Sequence, residues 1–137
     1  MTVNKNKPVR VALYCRVAHE SQLCIDAQKA QLTQYAHSLG HTDLTYYTDN
    51  GASGLTLDRP GFRQMEAAIR AGGVGAVLVT DFSRLGRDMW QVLRWGDSVK
   101  REGVAVLSAR HPGEPLVSPI MESLYKAYAS QRRKKRK

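Results

Sequence analysis

The residues best suited to chemistry in this sequence are four arginines. They lie at the predicted ends of β-strands or in the loops that follow them: Arg16, Arg59, Arg84 and Arg87. The planar guanidinium group matches the oxygens of a phosphate, and several such groups repel one another unless an anion lies between them. The sequence offers no obvious carboxylate cluster that could hold Mg²⁺. The set therefore favours metal-free phosphoryl transfer, in which fixed cations spread the transition-state charge.

Each arginine also has an ordinary structural explanation when it is taken alone. Arg59 could pair with Asp58 or Glu66, and Arg87 could pair with Asp88. Arg84 could be a solvated loop residue. Only a common location would favour the phosphate site over these alternatives.

Strands and helices alternate along the chain. Apolar, β-branched segments predict strands at 9–14, 44–48, 74–79 and 104–107, and helical periodicity predicts helices at 22–39, 60–71, 88–102 and from Ser118. This alternation predicts an α/β fold of three layers, with a mostly parallel sheet of four to five strands flanked by helices. Ligands bind such sheets outside the carboxyl ends of the strands, which is where the arginine segments lie.

Several polar residues are expected at helix ends and turns. Ser21 and Asp88 suit the N-caps of two helices. The segment Asp49–Gly54 contains Asn, Gly and Ser and is expected to form a flexible loop, and the segment Ser83–Asp88 is expected to open a helix.

Charge is concentrated at the two ends of the chain. Of the net charge of +9, residues 1–10 contribute three positive charges and residues 132–137 contribute six, which leaves residues 11–131 neutral. The basic tail could bind polyanions without reading sequence, or could simply be solvated. Its candidate DNA contacts are Arg132, Arg133, Lys134, Lys135 and Arg136.

Composition favours a globular protein without a metal or cofactor. The two cysteines and four histidines are scattered, and no metal-ligand spacing occurs among them. No apolar run approaches the roughly 20 residues of a membrane span, and the N-terminus lacks a secretory signal. We therefore expect a cytoplasmic protein with no membrane partner.

Three segments together resemble the N-terminal catalytic domain of serine recombinases, the resolvases and invertases. They are Tyr14–Gln22, Asp49–Phe62 and Asp81–Asp88, and the resemblance covers about residues 9–130. The sequence Asp81-Phe82-Ser83 is most similar to that of the large serine recombinases on mobile elements of Firmicutes. The resemblance implies a resolvase-like fold and a bacterial protein that acts in DNA recombination and integration.

The resemblance also implies roles for individual residues. The four arginines would bind the scissile phosphate, and either Gln22 or Gln28 would orient the surroundings of the nucleophile. The remaining supporting positions are Asp49, Ser53, Ser83 and Asp88. In the family, a serine forms a 5′-phosphoserine link to DNA within a dimer or tetramer, and subunit rotation then exchanges the strands.

Ala18 stands where the resemblance implies the nucleophilic serine. Alanine has no lone pair with which to attack phosphorus, so covalent catalysis at this position is excluded. Three interpretations remain open: a natural pseudo-enzyme, a deliberate replacement of serine by alanine, or a substitute nucleophile at Ser21. The position of Ser21 one helical turn away disfavours the last, because in-line attack tolerates little displacement.

Domain boundaries follow from these features. We expect a disordered arm at residues 1–8, the catalytic domain at 9–130 and a basic tail at 131–137. The helix Ser118–Ser130, with an apolar stripe of Met121, Leu124 and Tyr128, is expected to form a homodimer or higher oligomer, or to pack on its own domain. The family normally continues into a DNA-recognition domain, and without one we expect weak site-specific affinity.

Two other functional classes compete with a recombinase domain. A non-catalytic module could oligomerise with, or regulate, an active recombinase through the same helix. A flavodoxin-like nucleotide or receiver domain would have the same alternation of elements. The sequence lacks the glycine-rich loop after the first strand that binds a nucleotide, and the acidic pair that holds magnesium.

Overall fold

The structure is a computed structural model that describes residues 9–114 and residue 116. Within these residues the chain forms four strands, three α-helices and one short 3₁₀ helix. In chain order they are β1 (Arg10–Val17), α1 (Gln22–Ser38), β2 (Asp43–Asn50), α2 (Pro60–Arg70), β3 (Ala76–Val79), the 3₁₀ helix (Phe82–Arg84), α3 (Met89–Lys100) and β4 (Ala105–Ser108). None of the described helices is long and apolar enough to cross a membrane.

The four strands form one parallel sheet in the order β2-β1-β3-β4. Val11 in β1 pairs with Leu44 on one side and Ala76 on the other. β1 is therefore central, and all four carboxyl ends lie at the same edge of the sheet. The predicted α/β fold with a parallel four-stranded sheet is confirmed.

The sheet is covered on both faces. On one face, Ile25, Leu32 and Ala36 of α1 pack against Val11 and Leu13 of β1. The other face packs against α2 and α3, where the largest buried side chains include Phe62, Met65, Val92 and Trp95. These two apolar layers hold the sheet rigid, so that residues at its carboxyl edge have fixed positions.

Two strands are longer than the sequence predicted. The β1–β2 ladder continues through Arg16↔Asp49 and Val17↔Asn50. Arg16 and Asp49 therefore lie within strands, and the expectation that Asp49 belongs to a flexible loop is wrong. Asp49 is buried because its carboxylate accepts hydrogen bonds at the start of α2.

The segment after β3 also differs from the expectation. Ser83 and Arg84 lie on the 3₁₀ helix, and α3 begins only at Met89. The two expected caps are confirmed: Ser21 Oγ accepts from Cys24 N, and Asp88 Oδ1 accepts from the backbone N–H of Trp90 at 3.0 Å. The predicted arm 1–8, the helix from Ser118 and the tail 131–137 lie outside the described residues.

Candidate functional site

Arg16 lies at the centre of the site, near the end of β1. Its guanidinium donates to three backbone carbonyls: Nε to Arg84 at 2.9 Å, Nη1 to Ala52 at 2.9 Å and Nη2 to Ser83 at 3.0 Å. The residue is 5% exposed. Arg16 thus ties β1 to the loop after β2 and to the turn after β3.

Arg59 is held by a second buried network. The Tyr14 hydroxyl donates to Asp49 Oδ2 at 2.6 Å and accepts from Arg59 Nη1 at 2.5 Å. Nε of Arg59 donates to the Thr56 carbonyl at 2.7 Å, and Nη2 donates to the Leu85 carbonyl. Burial, followed by the hydrogen bond to Asp49, raises the pKa of Tyr14, so this hydroxyl keeps its proton. Arg59 is therefore fixed against the turn that carries Arg84.

Asp49 also explains how α2 begins beside the site. Arg59 occupies the N-cap position of α2 but makes no side-chain cap. Instead, the Asp49 carboxylate accepts from the backbone N–H of Gly61 at 2.8 Å and of Phe62 at 2.9 Å. A carboxylate at a helix N-terminus satisfies unpaired donors and complements the helix dipole. This supporting residue therefore orients both Arg59 and the helix that follows it.

Arg84 and Arg87 complete the cluster and have free hydrogen-bonding capacity. Arg84 Nη1 donates to the Arg16 carbonyl at 3.3 Å, while Arg84 Nε is buried and has no hydrogen-bond partner in the part of the chain that the structure describes. The Arg87 side chain is exposed, and its backbone N–H donates to the Gly54 carbonyl at 2.8 Å. A Cβ atom on Gly54 would lie 2.6 Å from Arg87 Cγ and 3.0 Å from Arg16 Nη2. Glycine at this position lets both arginines approach the loop.

Ala18 is exposed and lies in the short loop between β1 and α1. This loop is joined to the end of β2 by several hydrogen bonds. The Val17 carbonyl accepts from the N–H groups of Gly51 and Ala52, both at 2.9 Å, and Asn50 Oδ1 accepts from Ser21 N at 2.8 Å. The position expected for a nucleophile is therefore fixed two residues from Arg16.

The two candidate glutamines have different surroundings. Gln28 is buried, and its amide spans the backbone of Arg16, accepting from N at 3.2 Å and donating to O at 3.1 Å. Gln22 is exposed and donates to Asp26 at 2.8 Å. The contact with the arginine cluster is thus made by Gln28.

The two candidate serines contribute through the backbone or through local turns. Ser83 is exposed, and its carbonyl accepts from Arg16, as described above. Ser53 is also exposed, and its hydroxyl accepts from Leu55 N at 3.1 Å. Among the described residues, the side chain of Ser53 makes no hydrogen bond with the arginines.

No ion pair in the described part of the chain includes any of the four arginines. The two carboxylates that could have paired with Arg59 have other partners: Asp58 Oδ1 lies 3.1 Å from Arg63 Nε, and Glu66 Oε2 lies 3.6 Å from Arg70 Nη2. Asp88, the possible partner of Arg87, caps α3 instead. Burial, followed by the positive charge of Arg59, lowers the pKa of Arg16. The arginines therefore form a cationic cluster at the carboxyl edge of the sheet, and a multivalent anion is the ligand that such a cluster would stabilise.

Some residues that build this site were not identified from the sequence as site residues. Tyr14 links Asp49 to Arg59, Asn50 fixes the Ala18 loop, and Gly54 provides space for two arginines. The strand pairing Tyr14↔Tyr47 and Arg16↔Asp49 shows how Tyr14 and Asp49 come together. The sequence carries no local signal for this, because the two residues are 35 positions apart.

Comparison with solved structures shows the same fold in recombinase domains. The N-terminal catalytic domain of TP901-1 integrase is 26% identical, with a TM-score of 0.74 over 93% of this chain and 96% of that one. A resolvase family site-specific recombinase from Streptococcus pneumoniae is 27% identical, with a TM-score of 0.71 over 93% of this chain and 89% of that one. The C-terminal catalytic domain of ISC1926 TnpA, an IS607-like serine recombinase, is 25% identical, with a TM-score of 0.68 over 75% and 71%.

Comparison of the sequence with protein-family models identifies the same family. A comparison with curated proteins gives no significant match. The family "Resolvase, N terminal domain" matches residues 11–137, which is nearly the whole chain. This match, together with the structural neighbours, shows that the chain belongs to the resolvase N-terminal domain family, the catalytic domains of serine recombinases.

Proposed function

We propose that this domain binds a DNA phosphodiester at its arginine cluster, as the catalytic domain of a site-specific recombinase. The observation that carries the proposal is the buried Nε of Arg84, which has no hydrogen-bond partner among residues 9–114 and 116. A buried donor without an acceptor costs free energy. A rotation of the partly buried Arg84 side chain that brings Nε to a bound phosphate oxygen would remove that cost. Arg87 packs on Gly54 beside Arg16, and its guanidinium makes no hydrogen bond or ion pair within the described residues.

The four arginines divide into two pairs in this proposal. Arg16 and Arg59 are buried, and each uses three of its five N–H donors within the protein: Arg16 on three backbone carbonyls, and Arg59 on two backbone carbonyls and the Tyr14 hydroxyl. They supply positive charge and fix the loops. Arg84 and Arg87 have unused donors and make the direct contacts with the phosphate. The resemblance implied that all four arginines bind the scissile phosphate, and we propose that two of them do so directly.

A binding experiment tests this division. Arg84→Gln and Arg87→Gln should each weaken binding of a short DNA duplex by about 10- to 100-fold, the loss of one charge-assisted hydrogen bond. Arg94→Gln is the matched control, because Arg94 is exposed on α3 and outside the cluster. Equal losses in all three variants would mean that only overall charge matters, and the proposed site would be wrong.

Ala18 makes the chain inactive in strand cleavage in our proposal. The exposed methyl group at this position cannot attack phosphorus, although the loop that holds it is fixed beside the arginines. In Ala18→Ser, the hydroxyl oxygen would bond to phosphorus while the bond from phosphorus to the 3′ oxygen breaks. The serine hydroxyl would release its proton in this step, and the departing 3′ oxygen would take up a proton to become a 3′ hydroxyl.

The proposal predicts a covalent adduct only for the serine variant. Ala18→Ser, joined to a DNA-recognition domain that supplies site affinity, should give a denaturation-resistant protein–DNA species. The same fusion with Ala18 should give none, and the fusion carrying both Ala18→Ser and Arg84→Gln should give far less. An adduct from the Ala18 protein would refute the proposed inactivity and point to another nucleophile, such as Ser21.

Two further elements of the proposal concern segments outside the described residues. We propose that residues 118–130 mediate a homodimer or higher oligomer through Met121, Leu124 and Tyr128, and that the basic tail from Arg132 adds non-specific phosphate contacts. Leu124→Glu should shift sedimentation velocity profiles toward the monomer. Neutralising the tail should make DNA affinity less sensitive to salt. Each lost phosphate contact reduces the magnitude of the slope of log affinity against log salt concentration by about 0.9.

A non-catalytic role is the second candidate, and the observation that favours it is Ala18. Such a protein would use the same helix to join an active recombinase and regulate it. Under this alternative, Arg84→Gln leaves association with the recombinase unchanged and Leu124→Glu abolishes it. Under the first candidate function, Arg84→Gln weakens the binding of DNA to the domain.

A further inference from the structure

The segment that follows β4 is bonded to the turn that carries Arg84. Ala109 N donates to the Val79 carbonyl at 2.9 Å, and Arg110 N donates to the Thr80 carbonyl at 3.0 Å. Ser108 Oγ donates to the same Thr80 carbonyl at 3.2 Å. The path of the chain after β4 is therefore tied to the residues that lead into the 3₁₀ helix.

Asp81 joins these two segments through both of its carboxylate oxygens. Oδ1 accepts from the backbone N–H of Ser83 at 2.9 Å and so caps the 3₁₀ helix. Oδ2 accepts from Arg110 Nη1 at 3.0 Å. Beside this pair, the ring of Phe82 stacks on His111, with centroids 6.4 Å apart and planes 12° apart. Two independent contacts thus connect residues 110 and 111 to the 3₁₀ helix.

The capped turn in turn holds the arginine cluster. The carbonyls of Ser83 and Arg84 are two of the three acceptors that fix Arg16, and Arg84 returns a hydrogen bond to the Arg16 carbonyl. A displacement of this turn would therefore move Arg84 directly and release Arg16. The hydrogen-bonded path runs from Arg110 through Asp81 and Ser83 to Arg16.

We propose that Arg110 is a positioning residue, which fixes the phosphate site through Asp81 and makes the affinity of the site depend on the position of the segment after β4. This inference rests on the proposed binding of phosphate at the cluster. Arg110 itself is 71% exposed in its side chain, whereas Asp81 is 27% exposed. Its contribution is that of a partly exposed ion pair that holds a turn in place.

A purely electrostatic role for Arg110 predicts a different pattern of mutational effects. If Arg110 and Asp81 acted only through their charges, Arg110→Gln would weaken anion binding and Asp81→Asn would strengthen it, and the two effects would add. If the pair positions the turn, both variants weaken binding. The double variant is then no weaker than the weaker single variant, because each change breaks the same link.

The test is a double-mutant cycle in the intact chain with a short DNA duplex at fixed salt. We expect about a two- to fivefold loss of affinity in Arg110→Gln, in Asp81→Asn and in the double variant. Arg110→Lys should recover part of the loss, because an ammonium group can still donate to Asp81. Arg101→Gln is the matched control, since it removes an equivalent charge from the exposed Arg101–Asp97 pair at the C-terminal end of α3.

Amide hydrogen exchange provides a second readout that charge alone would not change. The hydrogen-exchange rate of the Ser83 amide should rise in Arg110→Gln and stay unchanged in Arg101→Gln. Tighter DNA binding by Asp81→Asn, or unchanged Ser83 exchange in Arg110→Gln, would overturn the inference. If either of those results is found but Arg84→Gln still weakens DNA binding, the inference about Arg110 fails and the proposed function stands. If Arg84→Gln has no effect on DNA binding, the proposed function itself fails.

Discussion

Gly54→Ala should weaken DNA binding at the arginine cluster while changing the free energy of unfolding of the domain very little. The new Cβ atom would lie 2.6 Å from Arg87 Cγ, 3.0 Å from Arg16 Nη2 and 3.2 Å from Arg16 Cζ. Ordinary carbon–carbon contacts are about 3.5–4.0 Å, so the nearest neighbour must move by roughly 1 Å. Arg16 is held by three carbonyls, whereas the Arg87 side chain is exposed. Arg87 is therefore the residue that moves.

The magnitude follows from what Arg87 would lose. A displaced Arg87 forfeits a charge-assisted hydrogen bond to phosphate, about 1.5–3 kcal/mol, and DNA affinity should fall by about 10- to 100-fold. The free energy of unfolding should stay within about 1 kcal/mol of the wild type, since replacing glycine also reduces the entropy of the unfolded chain. Fluorescence anisotropy with a short duplex and urea unfolding measure the two quantities.

Gly73→Ala is the matched control for this variant. A Cβ atom at Gly73 would meet its nearest neighbours at 3.7 and 3.8 Å, and neither glycine has a positive φ. The combined variant Gly54→Ala/Arg87→Gln should bind no more weakly than Arg87→Gln alone. Wild-type affinity in Gly54→Ala, or a similar loss in Gly73→Ala, would refute the close packing of Arg87 on this loop as a requirement for binding.

Three more predictions concern the residues that support the cluster. Asp49→Ala should lower the free energy of unfolding by about 2–4 kcal/mol, because two N–H groups of α2 and the Tyr14 hydroxyl lose their acceptor. Asp43→Ala, which removes an exposed ion pair, should change it by less than about 1 kcal/mol. Urea titrations measure both values. Gln28→Leu should cost about 1–3 kcal/mol, because the buried Arg16 N–H loses its acceptor and the Arg16 carbonyl keeps only the hydrogen bond from Arg84 Nη1. Gln22→Leu should cost less than about 0.5 kcal/mol; equal effects would contradict the assignment of Gln28 as the supporting glutamine. The backbone N–H of Ser83 lowers the pKa of Asp81 below its ordinary 3.8, so the stability that Asp81 contributes is present above that pH and lost as the pH falls through the lowered value. The difference in unfolding free energy between the wild type and Asp81→Asn should therefore shrink from pH 6 to pH 3, and a difference that grows would contradict this sign.

Much of the fold was predictable because its signals are local. Buried runs such as 76–79 and caps such as Ser21 and Asp88 follow from a few neighbouring residues. The ends of β1 and β2 were predicted too short, because pairing of Arg16 with Asp49 extends the ladder through polar residues. That extension depends on a tertiary network, in which Asp49 finds donors on α2, and no local pattern reveals it.

The candidate site was less predictable than the fold. The four arginines were identified by residue type and position, but their hydrogen-bond partners are mostly backbone carbonyls, which a sequence does not display. One missed signal was available. Gln28 shares the helical spacing of the buried Ile25 and Leu32, so it had to lie in the core, while Gln22 precedes that stripe. The link between Asp81 and Arg110 joins residues 29 positions apart and became visible only in three dimensions.

The most direct test of the central claim observes the Arg84 Nε–H group itself. Arginine side-chain NMR can follow the Nε–H resonances while a dinucleoside monophosphate, which carries a single phosphodiester, is added. We predict that the Arg84 resonance shifts and saturates together with that of Arg87, while that of Arg94 does not move. A titration in which Arg84 Nε–H stays unchanged while other arginines respond would contradict the claim that this buried donor is the phosphate contact.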